Sequence, residues 1–122
     1  MFDDRSPIYR QIADQIETDV LGGVLRGDDQ VPSTNKYAAH YRINPATVAK
    51  AFNQLVDDGV LYKRRGVGMF VSPSAPEALR TRRRKNFFAD VVDPMVAQAK
   101  AIGIELPDIV ERITQLANKE VR

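Results

Sequence analysis

The fold of this chain is decided by one stretch near its middle, Asn44-Pro45-Ala46-Thr47-Val48-Ala49-Lys50-Ala51-Phe52-Asn53-Gln54-Leu55. This stretch predicts a short helix. Asn44 can cap the helix because its side-chain oxygen can accept hydrogen bonds from the free N–H groups of the first turn. Pro45 suits the first helical position, where no N–H is needed. Together the two residues predict where the helix begins.

The predicted helix has two unlike faces. Its apolar stripe recurs at helical spacing and consists of Val48, Phe52, Leu55 and Val56. The opposite face carries Ala46, Lys50, Asn53 and Gln54, with Thr47 at its edge. Lysine can reach phosphate or guanine, and Asn and Gln can pair with adenine in a major groove. Alone, such a face is also typical of a solvated helix surface, so the neighbouring segments must decide between the two interpretations.

A second short helix is predicted directly upstream. Ser33 is a suitable N-cap, and Tyr37, Ala38 and Tyr41 give this helix an apolar side. The link Arg42-Ile43-Asn44 is short, so the two helices meet at a tight turn. This arrangement is the helix-turn-helix, in which the second helix enters the major groove of DNA.

Downstream of the helix, the sequence predicts a β-hairpin. Gly59 ends the helix. Two short β-prone runs follow, at residues 60–64 and 69–72, and they flank the turn Arg65-Gly66-Val67-Gly68. Two such runs around a glycine-containing turn are typical of a hairpin.

The tip of this hairpin is basic, because Lys63, Arg64 and Arg65 place three consecutive cations there. A basic hairpin just after a recognition helix is a wing, placed to contact the backbone or minor groove of DNA. Strand alternation puts Arg64 and Arg65 on opposite faces of the hairpin. We expect Arg65, next to the Gly66 turn, to be the contact.

Several motifs occur in order along residues 6–73: Pro7-Ile8-Tyr9 with Gln11-Ile12, Pro32-Ser33, Thr47-Val48, the segment 55–59, and Gly66-Val67-Gly68-Met69-Phe70-Val71. This succession resembles the GntR family of bacterial transcription regulators. The resemblance implies a winged helix-turn-helix DNA-binding domain and a variable C-terminal domain for dimerisation or effector sensing. Since its C-terminal part is short, the chain is similar to the small YtrA-type subfamily.

The sequence departs from the common family pattern at two places. Many relatives carry Arg where this chain has Asn35, and Ser-Arg where this chain has Asn44-Pro45 before Ala46. Those arginines are typical DNA contacts in the family, so no operator sequence is carried over. The residues predicted to contact DNA here are Thr34, Asn35, Lys36, Asn44, Ala46, Thr47, Lys50, Asn53, Arg64, Arg65 and Gly66.

Charge is distributed unevenly along the chain, whose net charge is only +2. Residues 1–31 hold three basic and seven acidic side chains, residues 32–75 hold six and two, and residues 76–122 hold nine and seven. The positive middle segment contains the predicted helix-turn-helix and wing, as expected of a surface that binds DNA.

Composition excludes several classes of site. The chain has 122 residues and no cysteine, so disulfides and thiolate metal sites are excluded. The lack of cysteine is compatible with a protein that resides in a reducing compartment. No secretory signal or membrane span is predicted, and we expect a cytoplasmic protein. His40 is the one histidine, and no Ser/His/Asp arrangement indicates catalysis.

The first helix and the loop after it complete the N-terminal half. We expect this helix over residues 7–21, capped by Ser6, with a core face of Ile8, Ile12, Ile16 and Val20. Residues 24–31 are predicted as a loop, with a short strand beside the wing as an option.

The C-terminal part predicts two amphipathic helices. The first begins near Ser74, carries a basic run at 80–85, and continues as one kinked helix through Asp93-Pro94 to Gly103. The second begins at Pro107. The basic run is either a solvated turn of helix or a phosphate contact. A two-helix hairpin cannot hide so much apolar surface, so we expect pairing with a second copy. The expected interface consists of Phe87, Phe88, Val91, Val92, Met95, Ile102, Ile109, Ile113 and Leu116.

We therefore expect an α+β fold, with a winged helix-turn-helix DNA-binding domain over residues 1–73 and a C-terminal two-helix dimerisation tail over residues 74–122. The predicted function is transcription regulation, as a repressor, by a homodimer bound to an inverted-repeat operator in double-stranded DNA. No cofactor, metal, membrane partner or enzymatic activity is predicted, and any small-molecule effector would bind in the tail. The alternative is a winged-helix module that binds protein or RNA, which salt-dependent selection of duplex DNA would discriminate.

Overall fold

A computed structural model of the chain describes residues 2–120, which form two compact units. The first unit extends to Thr81 and contains α1 (Ile8–Leu21), α2 (Thr34–Tyr41), α3 (Pro45–Asp57), β1 (Leu61–Arg64) and β2 (Gly68–Val71). The next helix is α4 (Ala75–Phe87). The second unit begins at Arg82 and contains a π-helical segment (Phe88–Val92), α5 (Asp93–Ala101) and α6 (Leu106–Glu120). The predicted α+β winged helix-turn-helix fold is confirmed.

The core of the first unit forms around α3, which packs against α1, α2 and β1. Three members of the predicted apolar stripe, Val48, Phe52 and Leu55, are fully buried, and the fourth, Val56, is half-buried against the core. Tyr37 of α2 meets Phe52 edge-on, with ring centroids 5.6 Å apart. Because burying one large apolar side chain stabilises by roughly 1.5–3 kcal/mol, this stripe determines which face of α3 stays exposed. The other buried members of the core are Ile12, Ile16, Val20, Val31, Tyr37, Ala38, Ala51, Val60, Leu61, Val71, Ala75 and Leu79.

Both helices of the helix-turn-helix begin at the predicted caps. The side-chain oxygen of Asn44 accepts a hydrogen bond from the Ala46 N–H at 2.8 Å. The hydroxyl oxygen of Ser33 accepts from the Lys36 N–H at 3.1 Å. Each bond satisfies one of the free donors of a first turn, which is the physical basis of the sequence prediction.

The cap predicted for α1 was wrong. Pro7, and not Ser6, is the N-cap of α1, and no side chain caps this helix. Pro7 has an extended backbone with ψ 140°, so the helix begins at Ile8. The carbonyl of Ser6 instead accepts a hydrogen bond from Gln11 Nε2 at 2.8 Å, which ties the N-terminal segment to the first turn.

The wing is an antiparallel hairpin in which Leu61 pairs with Val71 and Arg64 pairs with Gly68. Its turn contains Gly66 at φ +75°, a conformation that glycine adopts without strain. Gly59, which was predicted to end α3, also has a positive φ.

The loop after α1 runs beside the wing. The Val31 N–H donates to the Met69 carbonyl at 3.0 Å, and Gln30 forms a single β-bridge with Phe70. The Asp28 N–H donates to the Val71 carbonyl at 2.7 Å. The optional strand is therefore reduced to one bridge, which fastens the wing to the rest of the unit.

In the second unit the helical backbone continues through Pro94, as predicted. The distortion lies before the proline, where the Asp93 N–H donates to the Phe88 carbonyl across a π-helical turn. Proline has no N–H and its ring would clash with the carbonyl four residues earlier, and the wider turn accommodates it. Helix α5 ends before Gly103, whose φ is +79°. Helix α6 packs against α5. Among the helices described, none is long and apolar enough to cross a membrane.

Candidate nucleic-acid interface

The exposed face of α3 presents the predicted recognition residues. Ala46, Lys50 and Asn53 are exposed, and Thr47 is half-buried at the edge of the face. Asn44 is exposed at the helix start, where its side-chain oxygen is occupied by capping. Since its amide nitrogen is a separate donor, the cap leaves Asn44 able to donate to a base or a phosphate.

Lys50 contacts Tyr9, a residue that was not predicted as part of the DNA-binding site. Its ammonium nitrogen lies 4.1 Å from the centroid of the Tyr9 ring on α1. The same Tyr9 hydroxyl accepts a hydrogen bond from Arg10 Nε at 3.2 Å, and this arginine lowers the pKa of Tyr9. A tyrosine 41 residues away in sequence is not a local signal, which explains why it was missed.

Gln54 was predicted on the exposed polar face of α3, but its side-chain amide is bonded towards the end of the helix. Its Nε2 donates to Asp58 Oδ1 at 3.1 Å, one helical turn towards the end of α3. This bond draws the amide towards the acidic end of the helix. The predicted recognition face then retains Ala46, Thr47, Lys50 and Asn53.

The start of α2 and the wing tip line one groove of about 230 Å³. Ser33 and Thr34 form one side, and Val67 and Gly68 form the other. Thr34 is half-buried, whereas the next residues, Asn35 and Lys36, are exposed. The predicted contacts on α2 thus lie at a helix N-terminus, where free N–H groups and the helix dipole favour an anion such as phosphate.

Arg64 and Arg65, both exposed, differ in how the wing holds them. The Arg64 guanidinium lies 5.6 Å from the centroid of the Phe70 ring, and that ring stacks against Tyr62 at 5.7 Å. Arg65 lies in the turn beside Gly66, outside both strands. Arg64 is therefore packed along the strand face, whereas Arg65 lies exposed in the turn at the tip.

Two further contacts anchor the wing to the loop before α2. The Tyr62 hydroxyl donates to Asp28 Oδ1 at 2.7 Å, and this bond raises the pKa of Tyr62. Gln30 Nε2 donates to the Val67 carbonyl at 3.1 Å. An added Cβ at Gly68 would lie 2.6 Å from Gln30 Nε2, so the Gln30 side chain would have to move away. These two hydrogen bonds join the wing to the loop before α2.

The turn between α2 and α3 contains Arg42, a cation that was not among the predicted DNA contacts. Arg42 is exposed, with a left-handed backbone at φ +56°. It lines a groove of about 510 Å³ together with Tyr41, Asn44 and Thr47. The signal that would have identified it is its charge within a three-residue link next to the helix cap.

The tail residues predicted at a dimer interface are mostly exposed. Phe88 and Ile102 are 69% and 67% exposed, and Val92 and Ile109 are half-buried. Of the described residues in the second unit, Ala99 alone is buried. The remaining exposed members of the predicted set are Phe87, Val91, Met95, Ile113 and Leu116. Their assignment to an interface stays a prediction, as does the assignment of the DNA contacts.

Within the described residues, no group of three or more His, Asp or Glu side chains could hold a metal ion. The adjacent carboxylates at the end of α3, Asp57 and Asp58, are exposed. One of them, Asp58, is engaged by Gln54.

Comparison with known proteins connects this geometry to a family. The family described as bacterial regulatory proteins, gntR family, matches residues 8–71. The chain is 41% identical over 75 residues to the HTH-type transcriptional repressor NagR of Bacillus subtilis, which covers 61% of this chain and 31% of NagR. It is 30% identical over 112 residues to the HTH-type transcriptional repressor YtrA of the same organism, over 92% of this chain and 85% of YtrA. The chain thus spans about a third of NagR and most of YtrA.

Solved structures extend the similarity to the fold. A GntR family transcriptional regulator from Listeria monocytogenes superposes with a TM-score of 0.74 at 25% identity, over 93% of this chain and 98% of that chain. The DNA-binding domain of AraR in complex with operator ORX1 superposes with a TM-score of 0.55 at 27% identity, over 59% of this chain and 93% of that chain.

Proposed function

Because the chain belongs to the gntR family of bacterial regulatory proteins, we propose that it represses transcription in the cytoplasm as a homodimer bound to an inverted-repeat operator. The family members compared above are transcription regulators and not enzymes. Both relatives are named as repressors, which supports repression over activation for this chain.

The observation that carries the proposal is the division of α3 into a buried and an exposed face. Val48, Phe52 and Leu55 are committed to the core, so the polar face with Lys50 and Asn53 points to solvent. A helix anchored in this way can enter a major groove without disturbing its own packing. The exposed cations of the wing follow directly in sequence.

Three groups of contacts follow from the positions described above. We assign base reading to Asn44, Ala46, Thr47, Lys50 and Asn53 on α3 and its cap. We assign phosphate contacts to Thr34, Asn35 and Lys36 at the start of α2. The wing contributes Arg64, Arg65 and Gly66, with Arg65 as the outermost cation.

The exposed apolar surface of the tail supports the homodimer. A contiguous apolar patch of several large side chains is rare on a monomer and marks an interaction surface. Isologous pairing of residues 74–122 would cover Phe88, Val91 and Met95 in both copies. Successive major grooves recur at ~34 Å, so two paired recognition helices require half-sites one or two turns apart. Any small-molecule effector is assigned to the same paired tail.

The experiment that tests the function is selection of duplexes from a random pool by the purified protein, followed by salt-dependent affinity measurement on the selected duplex. We expect an inverted repeat and an affinity that falls as salt rises. A protein or RNA adaptor, the alternative function, would select no duplex sequence, and that result would exclude the proposal.

The dimer is tested by sedimentation of a double variant, Val91→Glu with Met95→Glu. This variant should be monomeric and lose most operator affinity, while its first unit unfolds at the same urea concentration as in the parent. Val24→Glu is the matched control, because Val24 is an exposed apolar residue outside the predicted interface. A parent that sediments as a monomer at micromolar concentration and still binds a symmetric operator tightly would contradict the homodimer.

A further inference from the structure

The contact between Tyr9 and Lys50 joins the first turn of α1 to the exposed face of α3. The two helices pack against each other, and Tyr9 is half-buried at the edge of the core. Lys50 is exposed, and its ammonium nitrogen lies 4.1 Å from the centre of the Tyr9 ring. This distance is well inside the range in which an aromatic ring attracts a cation.

The ring restricts a side chain that would otherwise be free. An exposed lysine has four rotatable bonds and loses rotamer freedom when it binds a fixed partner. With the ammonium group drawn to the ring, part of that freedom is already lost in the free protein. The ring also limits where the ammonium group can lie relative to the helix, and hence which phosphate or base edge it can reach.

Tyr9 also contacts Arg10, both through its hydroxyl and, at a longer distance than Lys50, through its ring. Arg10 Nε donates to this hydroxyl at 3.2 Å, and the Arg10 guanidinium lies 5.9 Å from the ring centroid. Two roles of one side chain can thus be separated by substitution. Tyr9→Phe keeps the ring and removes the partner of Arg10, whereas Tyr9→Leu removes the ring as well.

We propose that Tyr9 is a positioning residue for DNA recognition, whose ring orients the Lys50 ammonium group towards the DNA and does not itself bind DNA. This inference rests on the proposed function, because it takes Lys50 to be a DNA contact. It adds α1 to the elements that determine how the chain binds DNA.

The test is a double-mutant cycle with Tyr9→Leu and Lys50→Ala, measured as affinity for the duplex selected from a random pool by the parent. Tyr9→Leu should weaken binding by about two- to fivefold, the range of an exposed cation–π contact. The same change made in the Lys50→Ala background should have no further effect. Tyr9→Phe should bind like the parent.

Three results would overturn the proposal. Tyr9→Leu could weaken binding equally in the Lys50→Ala background, which would mean that Tyr9 acts independently of Lys50. Tyr9→Phe could be as weak as Tyr9→Leu, which would assign the effect to the hydroxyl. Tyr9→Leu could bind more tightly than the parent, which would mean that the ring holds Lys50 away from DNA.

A second measurement needs no DNA and no variant at risk of misfolding. The methylene protons next to the Lys50 ammonium group should be shifted upfield by the Tyr9 ring current in NMR spectra of the parent and of Tyr9→Phe. Normal shifts in both proteins would overturn the proposal even if the parent binds DNA. Failure of the proposed function looks different, because the ring-current shift would be present while the parent selects no duplex sequence.

Discussion

Tyr37 provides a quantitative test of the core that supports the recognition helix. This residue is 5% exposed, and among the described residues no protein group forms a hydrogen bond with its hydroxyl. Its ring packs against Tyr41 at 4.6 Å and against Phe52 at 5.6 Å. We expect Tyr37→Phe to keep these ring contacts and to remove only the unpartnered hydroxyl.

The expected magnitude at neutral pH follows from the burial of that hydroxyl. Leaving a buried polar group without a partner costs roughly 1–3 kcal/mol, and the removal of the hydroxyl relieves this cost. Because some relaxation is expected in the parent, we predict that Tyr37→Phe raises the free energy of unfolding by about 1 kcal/mol.

Alkaline pH should enlarge the difference. Burial, more than the nearby Tyr41 and Asp19, raises the pKa of Tyr37 from 10.0 to about 12. Because the folded-state pKa is raised, this tyrosine adds no pH dependence below pH 10, and its easier ionisation in the unfolded state lowers the stability as the pH rises towards 12. Two pH units correspond to at most about 3 kcal/mol. Tyr37→Phe lacks this ionisable group, so its stability should fall less between pH 10 and 12.

Urea unfolding at pH 7 and at steps between pH 9 and 11.5 measures both effects. At pH 7, Tyr62→Phe is the matched control, because the Tyr62 hydroxyl donates to Asp28 at 2.7 Å and its loss should destabilise the protein. The reasoning would be refuted if Tyr37→Phe were less stable than the parent at pH 7 and followed the same pH dependence.

Four further changes test the recognition helix and the wing. Lys50→Ala should weaken operator binding by ~1–3 kcal/mol if Lys50 reads a base edge. If Lys50 contacts a phosphate, binding should weaken uniformly across sequences, and the slope of affinity against salt concentration should fall by about one. An unchanged affinity and an unchanged salt slope would remove Lys50 from the site. Arg65→Ala should weaken binding more than Arg64→Ala in filter-binding assays at low salt, because Arg64 is packed on the strand face; the opposite order would contradict this. Asn44→Ala should lower the unfolding free energy by about 1 kcal/mol through loss of the cap, and a neutral result in urea titration would show that the 2.8 Å bond is dispensable. Gly59→Ala should lower the free energy of unfolding by about 1–2 kcal/mol through backbone strain at φ +79° alone, since the added Cβ meets no atom within 4 Å. An unchanged melting temperature would exclude such strain.

Much of the first unit could be predicted because its signals are local. Asn44 caps the helix that directly follows it, and Gly59 ends that same helix. The spacing of Val48, Phe52 and Leu55 identifies the buried face without knowledge of what covers it. Even the continuation of the helical backbone through Pro94 followed from an apolar pattern that persists across the proline, although the π-helical turn did not.

The hydrogen-bond partners of the polar side chains could not be predicted from the sequence. Ser6 is of a residue type that often caps helices, yet its carbonyl accepts a hydrogen bond from Gln11 and the helix begins after Pro7. Gln54 lies at a position that suits DNA reading, but its amide is bonded to Asp58. Several conformations compete for such groups at similar energies, and the surrounding chain selects one of them.

By itself, the sequence determined the elements, their order and the face of α3 that is buried, because helix caps, glycine turns and apolar spacing act over a few residues. Only the tertiary structure decided that Tyr9 lies under Lys50, that Arg64 packs on Phe70 while Arg65 stays at the tip, and that Gln30 anchors the wing. These contacts join residues from different elements. Their geometry depends on how α1, α3 and the hairpin pack together, and that packing is a property of the whole core and not of any local run of residues.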